Sequence, residues 1–386
     1  MMRQLAFTVL IIAASSWHVA ALDTPRKQEQ EPAGEEFERV LPTLEETLEL
    51  LDKEENLPKR TWLWGEDQRS NRRRIDVLLD EAIESLGISG LNEARDQIHE
   101  LEQQVRDTRR TISEYQRKRV SAPKHDSLGV VGKTLKTTRE DYDKLISEEE
   151  ANIAEWENEM TRLRGEFAGS LRGIGLELDE EAVAGLLASV TGDDVVSMAI
   201  VFDNVRRVTD QLQNLTEQSG EDLETAKRYY GMYVVLVEVL NHIQQSFIDQ
   251  VKEDHVPALR KFEEQATKNI EEAQDLIRGG KGDEAVLRGN ITANETTRRA
   301  AQLYVSYLEQ QAQMVEAENE QVKKTLATAR NTYATVKLSS DLATLMESGR
   351  QSFNTLMKLK LPYLREFKND ALRREFERMT EQLRGE

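Results

Sequence analysis

Cysteine is absent from this 386-residue chain, and proline (7 residues) and aromatic side chains (6%) are scarce. Without cysteine the chain has no disulfide bond, no Cys-ligated zinc or iron–sulfur site and no cysteine nucleophile. Scarce proline favours long, uninterrupted helices. Basic residues are also in deficit, with 52 against 71 acidic ones and a net charge of −19. This balance argues against a nucleic-acid binder, because phosphate contacts need a basic surface.

The N-terminus has the pattern of a secretory signal peptide over residues 1–21. Arg3 supplies the positive charge, residues 5–14 form an uncharged apolar core, and Val19 and Ala21 fit the −3 and −1 positions of a cleavage site. The apolar core is shorter than the roughly 20 residues that span a bilayer, which favours a cleaved leader over an uncleaved anchor. We therefore expect a periplasmic or otherwise extracytoplasmic protein with no stable transmembrane segment after cleavage.

Catalytic and ligand-binding motifs are missing from the sequence. The five histidines are scattered without an HExxH motif, and neither a G-x-S-x-G elbow nor a complete phosphate loop occurs. Asp96 and His99 lie three residues apart, a spacing that is more often a solvated pair than a weak metal site. The sequence therefore predicts a non-enzymatic protein with no cofactor and no metal.

Two stretches in the first half carry apolar residues at alternating spacings of three and four. The first covers residues 91–115 and the second covers 135–167, with a break at 121–129 that contains proline and glycine. Such spacing is typical of coiled-coil seams, and two seams joined by a short loop predict an antiparallel helical hairpin.

The second half begins with a Gly-containing segment, 173–194, which predicts a small helical knob. Strongly apolar helices are expected after it, and a seven-residue repeat then runs from Val305 to Val336. Asn319 falls within this repeat, where a buried asparagine either specifies helix register or faces a wet gap. Pro257 and Pro362 follow similar segments, and each is expected to end or kink a helix.

A Trp- and Arg-rich segment is the candidate partner contact. Trp62 and Trp64 are followed by Arg72, Arg73 and Arg74. Tryptophan beside basic residues suits a membrane interface or a protein partner. The alternative is that both rings fill the end of a helical bundle and the arginines form ion pairs on the helix surface.

These patterns predict an all-α fold: an elongated bundle of antiparallel coiled-coil helical hairpins with a small helical knob. The expected organisation is a signal peptide (1–21), a charged and partly disordered tether (22–56), an N-terminal coiled-coil hairpin (57–172) and a long-helix bundle with an apolar central unit (173–386). Within the tether, the pattern from Leu41 is compatible with a short amphipathic helix. The sequence leaves open whether hairpins close within one chain or between copies, as in a homo-oligomer.

The segment RIDVLLDEAIES, the repeat over 91–115 and the break APKHDSLG resemble extracytoplasmic helical regions of large mechanosensitive small-conductance-type channel proteins. They are also similar in style to the coiled-coil parts of bacterial cell-wall hydrolase activators. The resemblance covers about residues 57–171, lacks the channel's membrane helices and carries over no functional residue. It implies only a general role in the cell envelope.

The expected function is therefore a non-enzymatic scaffold or spacer of the bacterial envelope that contacts envelope proteins of unknown identity and no nucleic acid. The alternative is a regulatory adaptor that binds an envelope enzyme or transport complex through the 173–194 knob.

The leader prediction has a direct test. N-terminal sequencing of the exported protein should begin at Leu22, because signal peptidase cleaves after the small residue at −1. An intact Met1 on membrane-bound protein would instead indicate an anchor.

Overall fold

The computed structural model describes residues 35–384, with gaps at 55, 60–65, 88–89, 124–136, 175, 177, 179, 220–221, 339–353, 355 and 357–369. Within these residues every regular element is helical, which confirms the all-α prediction. In chain order the helices are α1 (Glu35–Glu54), α2 (Gln68–Leu86), α3 (Gly90–Ser121), α4 (Arg139–Gly173), α5 (Glu180–Leu187), α6 (Gly192–Ser219), α7 (Leu223–Asp249), α8 (Val256–Arg278), α9 (Glu284–Leu338) and α10 (Asp370–Arg384). A π-helical segment, Gln250–His255, joins α7 to α8.

The central part of helix α7 is the centre of the fold, because it is buried on all sides. Every residue from 230 to 240 is buried. Helices α1, α2, α6 and α9 pack around it. This run is rich in β-branched residues, which favour strands, but the neighbouring helices override that weak local preference.

One charged side chain lies within this apolar run. The Glu238 side chain is only 1% exposed, and it forms ion pairs with Arg330 of α9 and, at 3.9 Å, with Arg72 of α2. A buried carboxylate needs such partners, because its desolvation is otherwise unfavourable by several kcal/mol. Glu238 thereby fixes α2 and α9 against the central helix.

Two long helix pairs, α3 with α4 and α8 with α9, are antiparallel. Their side-chain contacts show this, because residue numbers rise along one helix as they fall along the other. The pairs are Glu102–Arg164 (2.8 Å) and Arg109–Glu157 (2.8 Å) in the first, and Arg260–Glu309 (2.9 Å), Glu263–Gln302 (2.7 Å) and Asn269–Asn294 (3.0 Å) in the second. The coiled-coil description of these pairs stays a prediction.

A single hydrophobic core runs through residues of nearly every helix. Ile75 of α2, Phe167 of α4, Val195 of α6 and Met379 of α10 all belong to it. The core includes residues on both sides of position 172, and the expected domain division there stays a prediction. Only the outer part of α3 and α4 has its own small cluster, formed by Val105, Ile112, Ile153 and Met160.

Within the predicted tether, residues 35–54 form helix α1, which begins before the short helix expected from Leu41. Val40, Leu44 and Leu50 are at most 1% exposed and lie in the common core. The composition of this segment is dominated by glutamate, yet a narrow apolar stripe suffices to dock a helix. The predicted signal peptide (1–21) and residues 22–34 lie outside the described residues.

The 173–194 segment, which was expected to form a small helical knob, packs into the common core. Its short helix, α5, ends at Leu187, and a turn leads directly into α6 at Gly192. Leu186, Leu187 and Val190 are buried in the common core.

Pro257 lies in the first turn of α8, directly after the π segment, so the α-helical geometry of α7 is interrupted before the proline by a wider turn. Proline has no N–H, and its ring clashes with the carbonyl four residues earlier in a regular α-helix. The N–H of Val256 donates to the carbonyl of Val251, five residues back. Pro362 lies outside the described residues.

The widened turn also absorbs one additional residue. Buried residues recur every seven positions on both sides of the π segment, but the step across it is eight, from Val251 to Leu259. The stripe comprises Val237, Gln244, Val251, Leu259, Ala266 and Ala273. The π segment therefore keeps the buried stripe facing α9 along both α7 and α8.

Gly231 allows α1 to approach α7 closely. A Cβ atom at Gly231 would lie 2.3 Å from Cδ2 of Leu48 and 3.1 Å from Cε2 of Tyr333, whereas one at Gly289 of α9 would meet nothing within 4 Å. Gly231→Val should lower the free energy of unfolding by about 1–3 kcal/mol through overpacking. The matched control, Gly289→Val, should change it by less than about 0.5 kcal/mol. Urea denaturation measures both; equal effects would contradict this packing.

Candidate functional site

A cluster of opposite charges lies where α3, α4, α6 and α10 meet. His99 of α3 is at its centre, with Nδ1 3.5 Å from Oε2 of Glu102 and Nε2 3.4 Å from Oδ1 of Asp193. Arg164 of α4 contacts Glu102 at 2.8 Å, and Arg384 of α10 contacts Asp193 at 3.4 Å. We call these five residues the ionic junction.

Local sequence rules position most of these side chains. Glu102 follows His99 by three residues, so the two share one face of α3. Asp193 lies in the first turn of α6 and Arg384 in the last turn of α10. These are the helix ends at which the macrodipole favours an anion and a cation, respectively.

The two carboxylates keep His99 protonated. Hydrogen bonding to Asp193, and then to Glu102, outweighs burial and raises the pKa of His99 to about 9. A protonated imidazole has no free lone pair, so at neutral pH it can neither accept a proton nor bind a metal ion. His99 therefore acts in this site as a cation.

The carboxylates of the junction stay ionised despite their burial. Burial alone would raise the pKa of Glu102 and of Asp193, but the hydrogen bond from His99 and the charge of a nearby arginine hold each pKa below its usual range. Neighbouring Asp194 behaves differently. Burial, reinforced by the negative charge of Asp193, raises the pKa of Asp194 to about 6.

A cleft of about 610 Å³ opens beside the junction, between α3, the turn before α6, and α10. It is lined mainly by charged side chains, and across it Arg106 pairs with Glu381 at 3.1 Å. Among the residues that the structure describes, no group of three or more His, Asp or Glu is arranged to hold a metal ion. The arrangement is suited to holding helices together by charge.

The sequence-predicted partner contact is only partly described. Trp62 and Trp64 lie outside the described residues. Arg72 pairs with Asp76 at 3.1 Å as well as with buried Glu238, and Arg74 pairs with Glu66 at 3.1 Å. Arg73 is exposed and forms no ion pair with another described residue. A partner contact through this segment stays a prediction, and the structure gives Arg72 a role within the fold.

Asn319 of α9 is buried at 1% exposure against α7. Its Nδ2 donates to Oδ1 of Asn241 at 3.1 Å and to Oε1 of Gln244 at 3.2 Å. Only one alignment of the two helices brings these amides together, which favours the register interpretation over a wet gap. Its register-specifying role stays a prediction.

Sequence reasoning missed most of the ionic junction. It paired His99 with Asp96, but Asp96 contacts Arg95 at 3.0 Å. The His99–Glu102 spacing was available as a local signal. The residues around Asp193 and Arg384 give no local signal that these side chains contact His99, because only tertiary packing brings the three together.

No family model, curated protein or solved structure matches this chain. The resemblance to channel and hydrolase-activator regions therefore stays a prediction.

The His99 pairing predicts a pH-dependent contribution to stability. Because the pKa of His99 rises on folding to about 9, its contribution is fully present below the unfolded pKa of 6.5 and disappears as the pH rises through 9. His99→Gln should therefore lower the free energy of unfolding by on the order of 2–3 kcal/mol near pH 6 and hardly at all above pH ~10.

Chemical denaturation of both proteins from pH 6 to 10 measures this difference. His242→Gln is the control, because His242 pairs with Asp80, whose side chain is 70% exposed, and a surface pair contributes at most about 1 kcal/mol. A wild-type–H99Q difference that is constant across this pH range would contradict the charged pairing.

Proposed function

We propose that this protein is an exported, non-enzymatic scaffold or spacer of the bacterial cell envelope. The observation that carries the proposal is that two long antiparallel helix pairs, α3–α4 and α8–α9, are attached to one common core. The 55 residues of α9 alone extend ~80 Å at ~1.5 Å per residue. Such helices are suited to keeping two partners at a fixed separation.

The ionic junction supports a geometric role. It links α3 and α4 to α6 and α10 through charges that neutralise one another, and the paired carboxylates hold His99 as a cation. The positions of the helices relative to one another are thereby constrained without using the side chains for chemistry. Envelope proteins of unknown identity would bind at the exposed outer parts of the helix pairs.

Export is supported by the leader-like sequence at residues 1–21. In the described part of the chain, no helix has the length and apolar character needed to cross a membrane. An alkaline phosphatase fusion, which is active only outside the cytoplasm, tests export separately from scaffolding. A fusion without phosphatase activity would contradict the proposed location in the envelope.

The adaptor function is the second candidate, and the 610 Å³ cleft beside the turn before α6 favours it. Deleting 173–194 would not separate the two functions, because that change removes buried core residues such as Leu187 and Val190. Glu100→Arg is a sharper change, because Glu100 is exposed at the cleft and lies outside the ionic junction. An adaptor should lose its partner in this variant, whereas a scaffold should keep its partners.

The spacer role predicts dependence on length in steps of seven residues. Asn269 of α8 contacts Asn294 of α9 in this antiparallel pair, so residues 267–273 lie opposite 290–296. Deleting both segments should leave the fold intact and shorten the α8–α9 pair by ~10 Å. A photoreactive residue at Lys281, in the turn between the helices, should then crosslink to different envelope proteins than in the full-length chain.

Deleting 267–273 alone is the matched control, because it leaves α9 too long for α8 and should lower the melting temperature. Circular dichroism checks folding in each case. Unchanged crosslinking partners in the correctly folded double deletion would contradict the spacer role.

A further inference from the structure

A second and smaller pocket, of about 190 Å³, lies between α2, α6 and α7. Its apolar lining is formed by Met198 and Phe247, which are at most 3% exposed, and by the half-buried Ile83 and Ile243. Pockets for drug-sized ligands usually enclose roughly 300–1,000 Å³, so this one is suited to a smaller molecule. We call it the α6 pocket.

The α6 pocket contains one carboxylate that has no partner. Asp194, in the first turn of α6, lines the pocket and forms no ion pair or hydrogen bond with another residue that the structure describes. The preceding carboxylate, Asp193, is in contact with three cationic side chains, which are His99, Arg95 and Arg384. The two arginines influence Asp194 only through their charge at a distance. The cations of the ionic junction therefore leave Asp194 unpaired.

The other carboxylate of the pocket is already engaged. Asp80 of α2 contacts Nε2 of His242 at 2.9 Å, and its side chain is 70% exposed to solvent. Asp194 has neither advantage, and its burial, reinforced by the charge of Asp193, raises the pKa of Asp194 to about 6. At neutral pH the group is still mostly ionised, which is unfavourable for a poorly solvated and unpaired charge. A cation bound in the pocket would remove this penalty.

The lining indicates which kind of cation fits. A hard metal ion takes six or more oxygen ligands, and a pocket with an apolar half does not supply them. An organic ammonium ion carries its charge at one end and can place an apolar body against Met198 and Phe247. The larger cleft beside the ionic junction differs, because the charged groups there pair with one another.

We propose that the α6 pocket binds a small organic ammonium ion, with its amine at Asp194 and its apolar body against Met198 and Phe247. This ligand site goes beyond the scaffold function and does not depend on it, because it requires neither export nor an envelope partner.

The test uses purified full-length protein with ¹³C-labelled methionine methyl groups. Met198 is buried in the pocket, and its signal among the nine methionines is assigned with Met198→Leu. Titration with phenethylammonium near neutral pH should shift this signal to saturation. The uncharged analogue 2-phenylethanol has the same apolar body and should bind at least about tenfold more weakly, because it lacks the charge-assisted contact.

Three variants locate the binding. Asp194→Asn should weaken phenethylammonium binding by about tenfold or more. Asp210→Asn, the matched control, removes the same charge from an exposed position of the same helix and should leave binding unchanged. Ser246→Trp keeps Asp194 but places a large ring at an exposed edge of the pocket, and it should abolish binding. Circular dichroism checks the fold of each, and Ser246→Trp decides the matter should Asp194→Asn fail to fold.

Binding should also depend on pH. Only ionised Asp194 attracts the amine, so the affinity should fall as the pH drops through 6, by about tenfold for each unit below it. His242, paired with Asp80 at the pocket, is a second titratable group, and His242→Gln should retain the same profile.

Three results would each overturn the proposal. The first is a Met198 signal that does not shift to saturation with phenethylammonium. The second is equal affinity for 2-phenylethanol, and the third is unchanged binding to folded Asp194→Asn.

Discussion

The structure depends on a helical segment that has no solvent-exposed face. Residues 230–240 of α7 are all buried, so they must be covered by other helices on every side. Helices α1, α2, α6 and α9 provide that cover, and the core that results extends to α4 and α10. Without this central run, the outer helix pairs would have no common base. Their relative positions are set by the way they are attached to α7 and its neighbours.

Polar groups inside this core give it a unique arrangement. An apolar stripe alone tolerates sliding of one helix along another, but Glu238 reaches Arg330 and Arg72 in only one alignment. The register role predicted for Asn319 would use its contacts with Asn241 and Gln244 in the same way. The ionic junction extends the same principle to the place where the first helix pair meets the bundle. Such paired charges constrain the positions of the helices in a way that additional apolar area does not.

Much of the helical architecture can be predicted from the sequence, because spacing of three and four residues is a local property. The helices over 91–115 and 305–336 lie where that spacing predicts them. Helix α1 begins earlier than the short helix expected from Leu41, because the glutamates at its start hide an apolar stripe that already includes buried Val40. The junction could not be derived, because Asp193 and Arg384 are 94 and 285 residues from His99 and meet it only after folding. Likewise, the arginine-rich sequence around Arg72 does not indicate that this residue pairs with buried Glu238.

The π-helical turn before Pro257 has a consequence for how such a molecule tolerates changes in length. Each residue of a regular α-helix rotates the next one by ~100° about the axis, so one inserted residue would turn the rest of the helix away from its neighbour. At 250–255 one residue too many is accommodated within a single wide turn, and Leu259 and Ala266 still lie on the stripe that faces α9. This turn therefore restores the alignment of the buried stripe after one additional residue. In the described parts of α8 and α9, which are regular α-helices, an inserted residue would not be accommodated in this way.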